Sequence, residues 1–267
     1  MTQLQAITYN QVMNIKILGC SGNYVGRHRT TCFLIDGSLL IDAGTVTDSL
    51  PRKDLSKIKR VLVTHTHMDH LKGLFPFVDE IAMMGGHSIE LVSAAPVLDI
   101  ITNNLLNNLI WPDFTVIPSA MDAIIKLRDI PLEKPSHLDG IAVKPILMTH
   151  TVYTVGYVVR QQNGEGFMFT ADTGPTKRFW ELAHDEKNIH FIMADVSFPD
   201  RLSNLALISG HMTPSILMDM IDRYDLGDRT FYVTHIKPIF GREITREFVR
   251  SGRPNIRILR QGQTLEI

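Results

Sequence analysis

The sequence contains few cysteines and no long apolar run. Only Cys20 and Cys32 are present among 267 residues, which is too few for a disulfide framework or a metal site built from thiolates. We interpret both as small buried hydrophobic residues. No stretch approaches the ~20 consecutive apolar residues of a membrane-spanning helix, so we expect no membrane association.

Charge of either sign is not in excess, because 27 Lys and Arg balance 28 Asp and Glu to a net charge of -1. Proteins that bind nucleic acid usually present a basic domain or stripe, so no nucleic-acid partner is expected. The arginines from Arg242 to Arg260 are interspersed with Glu243 and Glu247, and we interpret them as a solvated face. An anionic substrate would need local positive charge, which bound metal ions supply.

Nothing in the chain resembles a linker, a low-complexity segment or a targeting signal. Residues 1–13 lack a cationic start followed by an apolar run, so we predict no signal peptide and a cytoplasmic location. A hydrophobic fraction of 44% and a charged fraction of 21% are ordinary for a globular protein. We predict a single domain over residues 1–267.

The most informative segment is the stretch 64–73, which reads Thr-His-Thr-His-Met-Asp-His-Leu-Lys-Gly. Four strong metal-binding side chains lie within six residues of it, namely His65, His67, Asp69 and His70. They directly follow the apolar run 61–63, which is typical of a buried strand. Imidazole and carboxylate groups suit a divalent ion such as zinc, with manganese or iron as alternatives. The short spans between these residues favour two adjacent ions over one, and a solvated histidine-rich turn is the alternative.

Hydrophobic periodicity predicts strands that alternate with helices. Strands are predicted at 15–17, 32–35, 39–41, 61–64, 89–92, 124–127, 141–148, 154–160, 166–170, 189–194, 230–234 and 256–259, and helices at 71–78, 96–110, after Pro175, at 214–224 and at 241–250. Asp36-Gly37 and Asn163-Gly164 tolerate positive φ and indicate hairpin turns. This order predicts two packed sheets with helices outside. The segment 111–114 is predicted to be a loop, and its two aromatic residues, Trp111 and Phe114, either fold into the core or form a wall for a substrate ring.

Three later residues have the same placement as the first cluster, each after an apolar strand. His150 follows residues 146–148, Asp172 follows 167–169, and His235 follows 231–233. Strand ends along one rim can converge, and the seven side chains would suffice for two metals, with the two oxygens of Asp172 as a bridge. Taken singly, each histidine also suits a structural hydrogen bond, and Asp172 could accept backbone N–H groups in a turn.

His211 differs, because it lies in Gly-His-Met-Thr-Pro between two helical segments and away from any strand end. We interpret it as a general acid in preference to a metal ligand. A helix-capping residue is the third alternative.

These residues resemble a known family. The motif at 65–70, with His150, Asp172 and His235 in the same order, is similar to the signature of the metallo-β-lactamase superfamily. More narrowly, the chain resembles bacterial class II 3′,5′-cyclic-nucleotide phosphodiesterases. That narrower likeness depends on Arg29-Thr30-Thr31, on the segments 39–45, 110–114, 150–152, 155–157, 172–176 and 210–214, and on Thr234-His235-Ile236-Lys237-Pro238.

The resemblance implies a four-layered αββα sandwich with two mixed sheets and a binuclear site. One ion would bind His65, His67 and His150, the other Asp69, His70 and His235, with Asp172 and a hydroxide as bridges. The implied activity is hydrolysis of a 3′,5′-cyclic nucleotide (cAMP or cGMP) to the 5′-monophosphate by attack of that hydroxide.

Other roles follow from the same likeness. His211 would protonate the leaving oxygen, and Asp69 would also orient the nucleophile. We expect Trp111 or Phe114 to hold the base, and the relatives suggest a homodimer. In one departure, Asp195 stands where relatives tend to have a glutamate, and its shorter side chain is expected to reach less far.

Three other functions compete with this one. A tRNA 3′-processing endonuclease shares the ligands but needs a basic flexible arm, and the chain has no Gly/Pro/Lys-rich insertion. A lactone or thioester hydrolase would have less use for the acid His211. An inactive scaffold is a third possibility, although a degenerate copy should have lost at least one ligand.

Overall fold

A computed structural model describes residues 12–267, and these form two seven-stranded sheets. Residues 1–11, on which most of the signal-peptide prediction falls, lie outside the described residues. In chain order the strands are β1 (Asn14–Gly19), β2 (Cys32–Ile35), β3 (Leu39–Ile41), β4 (Arg60–Leu62), β5 (Ile89–Ser93), β6 (Ile125–Asp129), β7 (Ser136–Leu138), β8 (Ile141–Met148), β9 (Thr154–Gln161), β10 (Gly166–Phe169), β11 (Ile189–Asp195), β12 (Thr230–Thr234), β13 (Ile256–Ile258) and β14 (Thr264–Glu266).

Each sheet is mixed, with antiparallel strands in one half and parallel strands in the other. The first has the order β14-β1-β2-β3-β4-β5-β6, and the second has the order β13-β12-β11-β10-β9-β8-β7. From β3 to β6, and from β10 to β13, neighbouring strands run parallel. Because parallel strands end at the same edge, each sheet gathers several strand ends on one rim, where α/β proteins usually bind ligands.

Helices cover both sheets on the outside. They are α1 (Val46–Ser49), α2 (Arg52–Leu55), α3 (Met68–Leu71), α4 (Leu74–Met83), α5 (Ala95–Asn104), α6 (Lys177–Asp185), α7 (Ser203–Ile208), α8 (Pro214–Arg223) and α9 (Gly241–Ser251). None of the helices within residues 12–267 is both long and apolar enough to cross a bilayer.

Successive side chains of a strand point to opposite faces of its sheet, and in this way the apolar residues form three layers. In β2, Phe33 and Ile35 face the core between the sheets, whereas Leu34 packs beneath the helices outside the first sheet. In β10, Phe169 points into the same inter-sheet core and Met168 into the layer under α6 and α8. The rings of Phe33 and Phe169 meet edge to face at 5.2 Å between centroids. The predicted four-layered αββα sandwich is therefore confirmed.

The prediction of a helix over 96–110 is wrong about where the helix ends, because α5 ends at Asn104. Downstream, Asn107 Oδ1 accepts the backbone N–H groups of Leu109 and Ile110, both at 3.0 Å, and Asn108 has a φ of 63°. Asparagine side chains that bond nearby backbone groups compete with the helix. The segment predicted as one helix over 71–78 is also divided, since α3 ends before Gly73 and α4 begins after it.

Candidate metal centre

The predicted ligands lie on loops that leave the carboxyl ends of strands from both sheets. His65 and His67 follow β4, and Asp69 and His70 belong to the short helix α3 that comes next. On the facing sheet, ligands follow three further strands: His150 after β8, Asp172 after β10 and His235 after β12. The sandwich thus brings all seven predicted side chains to one rim.

The first group of ligand atoms comes from His65, His67, His150 and Asp172, which lie within 4.8 Å of one another. His150 Nε2 is 3.2 Å from His67 Nδ1 and 3.9 Å from Asp172 Oδ2. His65 Nε2 is 3.7 Å from the same carboxylate oxygen. Such spacings fit donors that share one ion, because metal–nitrogen bonds near 2.0–2.1 Å place ligand atoms about 3–4 Å apart.

The second group consists of Asp69, His70, Asp172 and His235, which also lie within 4.8 Å of one another. His235 Nε2 is 3.0 Å from Asp69 Oδ2 and 3.2 Å from Asp172 Oδ2, and His70 Nε2 is 3.2 Å from Asp172 Oδ1. Asp172 belongs to both groups and is almost fully buried. Its carboxylate is therefore placed where a ligand shared by two ions would be.

Hydrogen bonds around the cluster engage Nδ1 of three histidine rings and leave Nε2 of each ring to face the cluster. The Nδ1–H of His150 donates to the Gly210 carbonyl at 2.8 Å, and that of His70 donates to Asp42 Oδ2 at 2.6 Å. In His235 the Nδ1 atom lies 2.8 Å from the Ser197 hydroxyl. The Nε2 atom of each of these rings therefore points to the centre of the cluster, where its lone pair can bind an ion once any proton on it has left.

The inward-facing nitrogens lie close to one another and to carboxylate oxygens. His70 Nε2 and His235 Nε2 face each other at 3.3 Å, although each ring already has its Nδ1 proton engaged. His65 Nε2 is buried and has no hydrogen-bond partner among residues 12–267. Buried polar atoms are nearly always paired, and a divalent cation satisfies several lone pairs at once. The residues therefore fit metal ions.

Burial and neighbouring charges set the protonation of the cluster. Burial lowers the pKa of His65 and His150, which keeps these rings neutral, as a ligand must be. Burial opposes ionisation of Asp69, but the hydrogen bond from His235 and the charge of His70 hold its pKa below the usual range. His70 behaves differently, because Asp172 and Asp42 raise its pKa despite burial. An incoming ion must displace that proton, so metal binding is expected to weaken at low pH.

Two supporting residues were not identified from the sequence. Asp42 is fully buried and, besides His70, accepts the Thr64 backbone N–H and hydroxyl, both at 2.8 Å. Such carboxylate partners orient ligating histidines. Asp42 directly follows β3, so the placement rule that found His235 could have found it. Ser197 donates to Asp195 Oδ1 and contacts His235 Nδ1, each at 2.8 Å, and the sequence gives no signal for this role.

Asp195 contacts the site even though its side chain is shorter than that of a glutamate. Asp195 is the last residue of β11, fully buried between β10 and β12. Its Oδ2 lies 2.7 Å from His211 Nδ1 and accepts the Thr173 backbone N–H at 3.1 Å. The strand end delivers the shorter carboxylate directly to His211.

His211 lies between α7 and α8 at the edge of the ligand cluster. Its ring centroid is 5.1 Å from that of His150 and 5.3 Å from that of His235. The helix-capping alternative is wrong, because Thr213 accepts the Ile216 N–H at the start of α8. Burial disfavours a charged imidazole, yet the Asp195 carboxylate raises the pKa of His211 above its ordinary value.

The two loop aromatics occupy different environments. Phe114 is only 5% exposed and packs in the core beneath the helices of the first sheet, as the core alternative predicts. Trp111 is half-buried against that layer, with its ring centroid 5.7 Å from that of Phe75. Phe114 has too little free surface to stack on a base, which leaves Trp111 as the remaining prediction.

A glycine supports the first ligand group, and its substitution gives a test. Gly210 has a φ of 67°, and a Cβ there would lie 2.7 Å from His150 Nδ1. We expect Gly210→Ala to weaken metal binding by about 10-fold or more, because second-shell changes cost 10- to 100-fold. Gly252→Ala is the matched control, since Gly252 has a φ of 66° but open space around its Cβ. Equal metal affinity in the two variants, measured by competition with a chromogenic chelator, would contradict a positioning role.

Comparison with known proteins identifies the family. Residues 33–236 match the model of the beta-lactamase superfamily domain. A probable 3′,5′-cyclic-nucleotide phosphodiesterase of Yersinia pestis is 22% identical over 207 residues, which cover 68% of this chain and 58% of that protein. The chain therefore spans little more than half of that relative. Ribonuclease Z of Archaeoglobus fulgidus is 20% identical, with 87% of this chain and 90% of that protein covered.

Among solved structures, unliganded yeast PDE1 superposes with a TM-score of 0.80 at 18% sequence identity, covering 96% of this chain and 99% of that one. At this identity the likeness establishes the fold. The sandwich, the shared-carboxylate cluster and the match over residues 33–236 lead to the same conclusion. The chain belongs to the beta-lactamase superfamily and has the metallo-β-lactamase hydrolase fold.

Proposed function

We propose that this protein hydrolyses 3′,5′-cyclic nucleotides, cAMP or cGMP, to nucleoside 5′-monophosphates. The reaction would use two divalent metal ions, with zinc as the first candidate. One observation favours a phosphodiesterase: a buried histidine, His211, is held by Asp195 at 2.7 Å beside both ligand groups. An alkoxide leaving group needs a proton, and such a residue supplies it. The similarity to the Yersinia pestis relative supports the same choice.

The two ligand groups sharing Asp172 define which residues would hold the ions. His65, His67 and His150 would hold one ion, and Asp69, His70 and His235 the other. When bound, such ions lower the pKa of a coordinated water and neutralise phosphoryl oxygens. A carboxylate oxygen of Asp69, whose side chain is 27% exposed, would orient the attacking water.

Side chains of the protein protonate the leaving group. The attacking water gives up one proton to solvent as its oxygen forms a bond to phosphorus, and the bond from phosphorus to the ribose O3′ breaks. His211 Nε2 donates its proton to O3′, and Asp195 holds the opposite Nδ1–H so that the ring stays oriented and charged. The proton that His211 loses is regained from solvent, and the product is the 5′-monophosphate.

Two alternatives on the same fold have less support. A tRNA 3′-processing endonuclease is suggested by the archaeal Ribonuclease Z relative, but the chain has a net charge of -1 and no Gly/Pro/Lys-rich insertion. A lactone or thioester hydrolase would use the same ligands. The thiolate that leaves a thioester is much less basic than an alkoxide, so an acid such as His211 would contribute little to that reaction. A lactone leaves as an alkoxide, and the substrate comparison distinguishes it.

A substrate comparison tests the proposal. The metal-loaded protein should be offered cyclic AMP, cyclic GMP, a 2′,3′-cyclic nucleotide, pre-tRNA and a lactone under identical conditions. We expect at least one 3′,5′-cyclic nucleotide to show a kcat/KM about 10²-fold or more above every other class, in line with discrimination at sites built around a substrate's polar groups. Faster turnover of pre-tRNA or lactone would contradict the proposal.

A further inference from the structure

A groove lined by arginines lies at the edge of the second sheet, outside the metal centre. β13 forms this edge, and the turn 259–263 leads from it to β14. A cavity of about 800 Å³ between this edge and α9 contains Arg253, Arg257 and Arg260. A second cavity of about 610 Å³ also contacts Arg260 and extends to Arg27. We call the joined space the arginine groove.

Three of the four arginines in the groove have no carboxylate partner among the described residues. Within residues 12–267, no carboxylate lines either of the two cavities. Arg253 pairs with Asp222, whereas Arg27, Arg257 and Arg260 form no ion pair within residues 12–267. A smaller cavity of about 300 Å³, which also contacts Arg27, does contain Asp48. Several unpaired guanidinium groups that share one concave surface favour an anionic ligand with more than one phosphate.

Beside the arginines the groove has an apolar wall. Pro254, which is exposed, and Ile256, which is half-buried, line the larger cavity, and Phe248 lines it as well but is only 7% exposed. Tyr232 adds an aromatic ring, and its hydroxyl lies 3.5 Å from Arg257 Nη1. A volume of about 800 Å³ falls within the usual range for small-molecule sites, roughly 300–1,000 Å³. An apolar wall beside phosphate-binding groups suits a ligand with a flat ring and a phosphate chain.

We infer that the arginine groove is a second nucleotide site, which binds a nucleoside di- or triphosphate and takes no part in the hydrolysis. The phosphates contact Arg257, Arg260 and Arg27, and the base packs against the wall formed by Pro254 and Ile256. A nucleotide fits better than a polynucleotide, because the chain as a whole has a net charge of -1 and lacks the broad positive charge that nucleic-acid-binding domains usually have. The groove and the metal centre share no ligands, although Cys20, which lines the groove, accepts the backbone N–H of His235 at 2.8 Å.

The test measures binding of a non-hydrolysable probe, adenosine 5′-(β,γ-imido)triphosphate, to the metal-loaded protein by calorimetry. We expect one binding event in the groove and at least about a 10-fold loss of affinity in the double variant Arg257→Gln/Arg260→Gln, because charge-assisted bonds to phosphate are among the strongest hydrogen bonds. The matched control is Arg246→Gln, which removes an exposed arginine of α9 that does not line the groove. Its affinity should stay within about twofold of the parent.

Three results would overturn the inference. They are no binding of the probe at millimolar concentration, equal affinity in parent and double variant, and an equal loss in the Arg246→Gln control. Tighter binding of a 12-nucleotide RNA than of the probe, with the same arginine dependence, would assign the groove to a polynucleotide instead. Hydrolysis of cyclic AMP by the double variant should match the parent, so a failure here is distinguishable from a failure of the proposed function.

Discussion

Asp172→Ala is expected to lose bound metal and hydrolytic activity together. Asp172 is the one side chain common to both ligand groups, with oxygens 3.2 Å from His70 Nε2 and 3.2 Å from His235 Nε2. Its removal takes a donor from both sites and leaves the remaining histidine lone pairs facing one another. We expect a loss of about 10³-fold or more in kcat/KM, since even residues behind the ligands cost 10- to 100-fold.

Two measurements separate loss of metal from loss of fold. In the parent, a chelator should lower the unfolding temperature, because ions that bind only the folded state stabilise it. In Asp172→Ala the same chelator should leave that temperature unchanged. Asp172→Asn keeps the shape and removes the charge, and Asp185→Ala removes an exposed carboxylate as the matched control. Full metal content in Asp172→Ala would rule out the shared-ligand role.

His211→Ala is expected to keep its metal and lose about 10²- to 10⁴-fold in turnover, the usual range for a general acid. The ring contacts Asp195 and Ser197 and stands outside the two ligand groups that share Asp172. It also lies with Asp195 and His235 in a third set of close donor atoms. If His211 were itself a ligand, metal would fall with activity.

The pH dependence gives an independent reading of the same role. A general acid must start protonated, and the Asp195 carboxylate raises the pKa of His211 above its usual value despite burial. Activity of the parent should therefore hold through neutral pH and fall as the pH rises through that pKa. His211→Ala should lack this alkaline fall, whereas His137→Ala, which alters an exposed histidine of β7, should retain it. Parental turnover in His211→Ala with unchanged metal would remove the assigned role.

The ligand positions could be predicted because one local rule governs them. A histidine or aspartate just after an apolar strand lies at a strand end, and parallel strands place their ends on one rim. That rule found His150, Asp172 and His235, and the structure brings them to the first cluster. The same rule applies to Asp42 after β3. A lone aspartate beside Ala-Gly also suits an ordinary turn, so its bond to His70 could not be inferred without the fold.

Other features depend on contacts between distant parts of the chain. The bond from His211 to Asp195 requires β11 to lie between β10 and β12, which no local pattern specifies. β7 and β14 have three residues each, too few for a periodicity to show, and they exist because β8 and β1 offer them open edges. The burial of Phe114 follows from how the loop 105–124 folds back, which its composition does not determine.

The number of ions bound per chain tests the central claim most directly. The purified protein should be loaded with zinc or manganese, freed of excess ion by gel filtration and analysed by inductively coupled plasma mass spectrometry. We predict about two ions per chain in the parent, because two donor groups of four residues share Asp172. A protein that binds no ion under these conditions, and hydrolyses no cyclic nucleotide, would contradict the account.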